Sequence, residues 1–412
     1  MATLITNIKQ LINVREESKL LRGKELPILP SIENAYIVIE NGLIAGYGNM
    51  NEFQNSKFKI QNSIDAAGQF ILPCWCDSHT HLVFAASREE EFVDKIKGMS
   101  YEEIAAKGGG ILNSAKKLNE MSEEGLFDLA WKRLEEVMNL GTGAIEIKSG
   151  YGLSVDGELK MLRVIKKLKE RSPIPIRATF LGAHTYPLDF KENHQGYIDL
   201  IINEMLPVVA KEKLADYIDV FCEKGFFSPE ETETICSAGM RHGMKAKIHA
   251  NQLNFSGGVE TGIKLGAISV DHLETVNGDI INKLSKSNTI GTLLPTAAFF
   301  LRMPFQPARQ MIDAGCAIAL ASDYNPGSSP SGNMNLVIAM SCIGMKMLPE
   351  EAINAATING AFAMELQNEV GSITVGKKAN LIFTKPIPSL TYLPYSFGTN
   401  LIDKVMINGE II

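Results

Sequence analysis

Cysteine is scarce. Six cysteines are scattered through 412 residues, at positions 74, 76, 222, 236, 316 and 342. Their scatter argues against a disulfide framework, and the lack of any Cys-x-x-Cys pair argues against a thiolate-bound structural zinc. Such sparse thiols fit a reducing cytosol, so a cytoplasmic location is expected. Long apolar runs are also missing. The first residues, Met1-Ala2-Thr3-Leu4-Ile5-Thr6-Asn7, put no basic segment ahead of an apolar core, so neither a membrane partner nor a secretory leader is expected. Excess positive charge is absent too, since the formal net charge is −7, and this argues against nucleic acid as a partner. What remains, 45% hydrophobic and 21% charged residues, suits a soluble globular protein. The length accommodates one barrel of roughly 250–300 residues and a smaller module.

Both ends of the chain are rich in β-formers. Tyr36-Ile37-Val38-Ile39-Glu40 leads through Asn41-Gly42 into Leu43-Ile44-Ala45-Gly46-Tyr47. An Asn-Gly pair between such runs predicts a hairpin, because both residues tolerate positive φ. Leu381-Ile382-Phe383 and the run Lys404 to Ile407, turning at Asn408-Gly409, repeat the pattern. The two ends are expected to pair into one β-sandwich module, residues 1–68 with 370–412. Between them, across 69–369, eight short apolar runs (70–76, 142–147, 176–182, 217–222, 245–249, 267–271, 289–294 and 317–321) alternate with helical stretches. The helices read as Gly125 to Leu140, Asp156 to Glu170, Gln195 to Lys211, Pro229 to His242 and Gly257 to Leu265. That alternation predicts a parallel (β/α)8 TIM-like barrel. The long connection holding Ser100 to Ile104 and Gly108-Gly109-Gly110 lacks the Gly-Lys-Ser/Thr of a phosphate loop and is expected to form a mobile lid.

A barrel enzyme places its chemistry at the C-terminal ends of the strands. The first end reads Asp77-Ser78-His79-Thr80-His81. On extended backbone, residues two apart share a face, so Asp77, His79 and His81 point one way and Cys74 and Cys76 the other. A His-x-His pair on its own is equally well two unremarkable histidines. The chain holds only seven histidines, however, and five (79, 81, 184, 249 and 272) fall at strand ends. His79, His81, His249 and Asp323 make a set of three nitrogens and one oxygen, which leaves room for water as a catalytic metal site requires. Such a set suits one divalent ion, zinc or iron. The ion would acidify water and polarise a carbonyl, which points to hydrolysis of an amide-like carbon.

With these ligands the run Leu72-Pro73 to His81 resembles the amidohydrolase superfamily. Four further segments carry a likeness to the imidazolonepropionase family within it. They are Tyr101 to Ala106 with Gly108 to Ile111, Glu146 to Leu153, Phe180 to His184, and Ser322 to Pro330. The resemblance covers about 30–412 and implies a hydrolase that opens the cyclic amide of 4-imidazolone-5-propanoate in histidine degradation. It implies that Arg88 holds the substrate carboxylate as a bidentate pair and that Tyr151, His184, Asn325, Gly327 and Ser328 line the substrate site. Read without it, Arg88 in Ser87-Arg88-Glu89-Glu90-Glu91 fits a solvated helix face, and Asn325-Pro326-Gly327 fits a plain turn. Tyr151, between two glycines, is expected on an exposed loop.

One departure stands out. The family commonly has Glu three residues after the metal histidine of the fifth strand, and this chain has Gln252. An amide takes up no proton near neutrality, so Gln252 is expected to orient the ring amide. Asp323 is then expected to accept the proton, and His272 to stabilise the oxyanion and pass a proton to the leaving nitrogen. Glu223 and Lys224, near the fourth strand end, leave open a second metal, although the resemblance favours one. The competing readings are a deaminase acting on a nucleobase-like ring and a metal-free assembly module. The expected partners are a small molecule with a carboxylate tail and, in a homodimer, a second copy of the chain.

Overall fold

The computed structural model describes residues 2–54, 58–99, 103 and 109–412. The N-terminal segment supplies β1 (Ala2–Ile12), β2 (Ser31–Glu40), β3 (Leu43–Asn49), β4 (Ile60–Asp65) and β5 (Phe70–Pro73). The middle supplies β6 (Trp75–Asp77), β7 (Thr142–Lys148), β8 (Ile176–Ala183), β9 (Tyr217–Cys222), β10 (Lys245–Ala250), β11 (Ser269–His272), β12 (Ile290–Leu293) and β13 (Ile318–Leu320). The C-terminal segment adds β14 (Leu381–Thr384), β15 (Ile402–Ile407) and β16 (Glu410–Ile411).

Strands β6 to β13 pair in chain order, each parallel to the next. The circle closes at the functional end. Thr80 bridges to Tyr324, the His81 N–H donates to the Tyr324 carbonyl at 2.9 Å, and the Asp323 N–H donates to the His79 carbonyl at 3.0 Å. This is the expected barrel. Its helices pack outside, and several match the sequence pattern closely: Glu123–Asn139, Val155–Arg171, Pro229–Arg241 and Gly258–Leu265. The stretch read as one helix from Gln195 to Lys211 is two helices, His194–Leu200 and Leu206–Glu212, joined by a π-helical turn at Ile201–Met205. Ser122 and Ser154 cap the first two of the matching helices by accepting the Gly125 and Gly157 amides, which answers N–H groups that the helix itself leaves unpaired.

The second sheet joins the chain ends. Its order is β16-β15-β14-β5-β1-β2-β3, with β4 branching from β1. It encloses its own core, with Ile5, Ile37, Ile71, Leu381, Phe383 and Met406 all at or below 1% exposure. Both Asn-Gly hairpins form, with φ of 52° and 78° at Asn41-Gly42 and 49° and 81° at Asn408-Gly409. The run 70–76, expected as a single barrel strand, is divided. Phe70–Pro73 pairs with β1 and β14 in the end-built sheet, and only Trp75–Asp77 enters the barrel. The break comes at Cys74, whose N–H donates to the Asn380 carbonyl while the Trp75 N–H donates to the Gly141 carbonyl. The expected lid lies largely in 100–102 and 104–108, outside the described residues. Among the described residues, no helix is long and apolar enough to cross a membrane.

Barrel strands are buried on both faces, which is why they read as apolar runs. Polar side chains interrupt them in steps of two. Glu146 with Lys148 on β7, Lys247 with His249 on β10, and Ser269 with Asp271 on β11 are all buried. That period puts each pair on one face, and their mutual bonds show that the face is the barrel interior.

Candidate metal centre and active site

Four ligand atoms converge at the mouth of the barrel. The Nε2 atoms of His249 and His81 are 3.3 Å apart. Asp323 Oδ1 lies 3.5 Å from His79 Nε2 and 3.7 Å from His81 Nε2. Ligand bonds of about 2.0–2.2 Å in a tetrahedron separate neighbouring ligand atoms by roughly 3.3–3.6 Å, which these three spacings approach; the ligand atoms fall into two groups that share His79, one with His81 and His249 and one with His272 and Asp323. His79 Nε2 is buried without a hydrogen-bond partner, so its lone pair is directed at the shared point. Burial first, then the nearby positive charge of Lys148 and the other histidines, holds His79 well below its usual pKa. Burial together with His184 and His249 does the same for His81. Both rings are therefore neutral and able to donate an electron pair to a metal.

The rings are fixed from behind. His79 Nδ1 meets Asp271 Oδ2 at 2.6 Å, and His249 Nδ1 lies 2.9 Å from Asp219 Oδ2. A carboxylate on the far nitrogen sets the tautomer and orients the ring. Both carboxylates turn to one ammonium: Lys148 Nζ is 2.8 Å from Asp219, 3.6 Å from Asp271 and 2.6 Å from Glu146. Lys247 also pairs with Glu146. All these side chains are fully buried. Burial opposes the charge on Lys148, but Asp219, Glu146 and Asp271 outweigh it and raise its pKa. Burial likewise opposes ionisation of Asp219, and His249 and Lys148 overcome it, holding Asp219 well below the usual carboxylate range. Asp271→Asn keeps the shape but removes the anion behind His79. It is expected to weaken metal binding about 10- to 100-fold, and titration against a competing chelator reads this directly. Unchanged affinity would show that the His79–Asp271 contact does not tune the site.

The other expected residues gather around a cavity of 530 Å³ beside this cluster, lined by Arg88, Tyr151, His184, Gln252, Asn325, Gly327 and Ser328. Arg88 does not lie on a solvated helix face. It precedes the helix Glu89–Ile96, its Nε donates to Ser114 Oγ at 2.8 Å, and its buried Nη2 has no hydrogen-bond partner. Gly327 makes room for it, because a Cβ there would lie 2.6 Å from Arg88 Nη1. Tyr151, expected to be exposed, is only 3% exposed. His184 stacks on His81 with ring centres 5.3 Å apart. The turn after β13 does more than reverse the chain. Ser328 Oγ donates to Asp323 Oδ2 at 3.0 Å, and Asn325 Oδ1 accepts the Gly327 and Ser328 amides. Asp323 thus turns one oxygen to the histidines and the other to Ser328. His272 joins His79 and Asp323 within ligand distance of one point. Its Nδ1 lies 3.5 Å from Glu274. Burial lowers the His272 pKa, but Glu274, with Asp323 and Asp271, more than offsets it and the net shift is upward.

Asp77 shares the inward face, but Ser322 occupies its carboxylate through an N–H at 3.0 Å and a hydroxyl at 2.5 Å. Glu223 is occupied too. It accepts the Lys224, Leu253 and Asn254 amides and so braces the segment that bears Gln252. Asp219, Lys247 and Glu158 escaped the sequence reading. A charged residue inside an apolar run, as in Tyr217-Ile218-Asp219-Val220, was the available signal for the first two.

The amidohydrolase family model matches residues 70–412. An imidazolonepropionase of Flavobacterium johnsoniae is 59% identical over the full length of both chains. A triazine hydrolase variant superposes with a TM-score of 0.74 at 14% identity, covering 100% of this chain and 94% of that one. Guanine deaminase from C. acetobutylicum superposes with a TM-score of 0.71 at 18% identity, covering both chains fully. At such identities the two superpositions speak for the fold alone, whereas the family match and the full-length relative bear on descent. By both of these, the chain belongs to the amidohydrolase family and, within it, to the imidazolonepropionase family.

Proposed function

We propose that this chain hydrolyses the ring amide C–N bond of 4-imidazolone-5-propanoate, giving N-formimidoyl-L-glutamate in L-histidine degradation. The observation that carries this reading is the pairing, at one cavity, of a guanidinium whose buried Nη2 has no hydrogen-bond partner with the adjoining groups of imidazoles and Asp323. A small cyclic amide with an anionic tail matches that pairing. The full-length relative named for this activity supports it.

His79, His81, His249 and Asp323 would hold one divalent ion, zinc or iron. When bound, it supplies Lewis acidity, polarising a carbonyl and acidifying water. The protein's own groups do the rest. Arg88 takes the carboxylate through the planar fork of its guanidinium. Tyr151, His184 and the turn Asn325-Pro326-Gly327-Ser328 enclose the ring, and Gln252 hydrogen-bonds its amide. Asp323 accepts the proton of the attacking water while Ser328 fixes the carboxylate's orientation. His272 stabilises the developing oxyanion and hands a proton to the departing nitrogen. A single metal is supported by Glu223, whose carboxylate is committed to backbone amides.

A cytoplasmic location is supported by six free cysteines, five of them buried. A homodimer has apolar surface available at Ile343, Tyr395 and Phe397, which are 65%, 77% and 65% exposed. A ring deaminase, which would use the same metal-ligand set, is the second reading. Turnover of freshly made imidazolonepropanoate by metal-assayed protein tests the assignment. Loss of the imidazolone chromophore without ammonia is expected. Ammonia release from a nucleobase, with the imidazolone untouched, would replace this function with the deaminase.

A further inference from the structure

The loop Gly150-Tyr151-Gly152-Leu153 has no regular structure, yet one helix, Val155–Arg171, takes all four of its amides. Gly150, Gly152 and Leu153 donate to the carboxylate of Glu158 at 3.0, 2.7 and 3.1 Å, and the Tyr151 N–H points to Met161 Sδ at 3.3 Å. Glu158 is fully buried and bonds the Ser149 hydroxyl as well. Burial pushes the Glu158 pKa up while the Ser149 hydroxyl and the three loop amides pull it down, so dipoles answer the carboxylate, as in an anion-binding nest. The loop could not adopt this course unaided. Leu153 has φ of 50° and Gly150 of 113°, both in the region that side chains disfavour. At Gly152 a Cβ would lie 2.2 Å from the Glu158 backbone nitrogen, so the helix and loop touch without space for any side chain.

The held loop carries more than Tyr151. The Gly150 carbonyl lies 3.0 Å from His184 Nδ1. A carbonyl only accepts, so Nδ1 carries the hydrogen. With that hydrogen fixed on Nδ1, the neutral ring offers Nε2 as its acceptor. The Gly150 peptide is therefore gripped on both sides, by Glu158 at its N–H and by His184 at its C=O.

We propose that Glu158 is a positioning residue for substrate recognition: its carboxylate is the template that fixes the 150–153 loop, and through the Gly150 peptide it sets both Tyr151 and the tautomer of His184. The site is thereby selective for a ligand that presents a ring N–H to His184 Nε2. This rests on the reading of the cavity as the imidazolone site, and it assigns that site a determinant which touches no substrate.

Glu158→Gln tests it, because the amide is isosteric but turns an NH2 towards the loop's N–H donors. Removing a buried acceptor from paired donors is expected to speed exchange of the 150, 152 and 153 amides by about tenfold or more, with the barrel amides unchanged, and to raise KM about tenfold while kcat moves less than about threefold. Ring-15N signals of His184 are expected to shift from the Nδ1–H form to a mixture of tautomers. In a Tyr151→Phe/His184→Ala background the same change is expected to alter KM less than about twofold, since both recipients of its effect are gone. Unchanged exchange and an unchanged His184 tautomer would overturn the proposal. So would a full additional KM penalty in the double-variant background. Glu158→Asp keeps the charge on a shorter arm and is expected to fall between wild type and Gln; if the Gln variant does not fold, the same readings on the Asp variant decide. Should wild-type protein fail to turn over imidazolonepropanoate, the function assignment fails, while the exchange and tautomer readings still judge the hold of Glu158 on the loop.

Discussion

Lys148→Met is expected to destabilise the folded chain by about 3–5 kcal/mol, the cost of stripping one partner from a buried ion network. Three carboxylates, Glu146, Asp219 and Asp271, meet inside the barrel, and among the described residues two ammonium groups, Lys148 and Lys247, answer them. The network already carries one surplus negative charge, which a divalent ion at the histidines would compensate. Methionine fills nearly the same volume, so packing survives, but the surplus doubles in a region with no exposed atoms. Asp271 and Asp219, left without the ammonium they share, are then expected to lose their hold behind His79 and His249. Chemical denaturation and metal content should therefore fall together. A variant with wild-type stability and full metal occupancy would show that Lys247 alone balances the interior.

Asp323→Asn is expected to lower kcat about a hundred- to ten-thousandfold, the range for losing a positioned proton acceptor. Asn keeps an oxygen for the ligand set and a partner for Ser328, so the loss can be separated from collapse of the site. Metal binding is expected to weaken, yet saturating metal should not restore the rate. Asp323 splits its two oxygens between the histidine cluster and the Ser328 hydroxyl, and the second has a further lone pair with which to take a proton. Its left-handed backbone, φ of 53°, is a strained conformation for a non-glycine residue and is held by the bond from its N–H to the His79 carbonyl. Near-wild-type turnover with metal retained would remove Asp323 as the base.

The barrel was legible because parallel strands buried on both faces read as evenly spaced apolar runs, and because histidines clustered where those runs end. Tyr217 to Cys222 was bounded correctly for this reason. Phe70 to Cys76 was not, because two strands in different sheets share one apolar run and only the hydrogen bond from the Cys74 amide to Asn380, some 300 residues away in sequence, divides them. The histidines that gather at the barrel mouth were visible through strand alternation. Their supports were not, since Asp219 and Lys247 sit mid-strand, where a charged residue reads as noise until its partners on neighbouring strands are known. Glu158 was hidden differently: it lies in the first turn of a helix, where acidic residues are commonplace, and only the fold shows it turned inward beneath the loop. Arg88 shows the reverse, a residue whose local sequence suggests solvent and whose tertiary position is a pocket wall.

The seam where β13 meets the first strand has a consequence for how the protein comes into being. Thr80 and Tyr324 bridge there, and His79 and Asp323 contribute ligands on either side of it. A chain emerging from the ribosome holds its His-x-His pair early, but the fourth ligand is translated some 240 residues later. If these four residues hold the ion, the full set could capture it only once the circle has closed, and the ion would act as a rivet set after barrel assembly. A nascent chain arrested before residue 323 is expected to bind metal weakly, and one released past it tightly, so that the metal marks completed closure of the barrel.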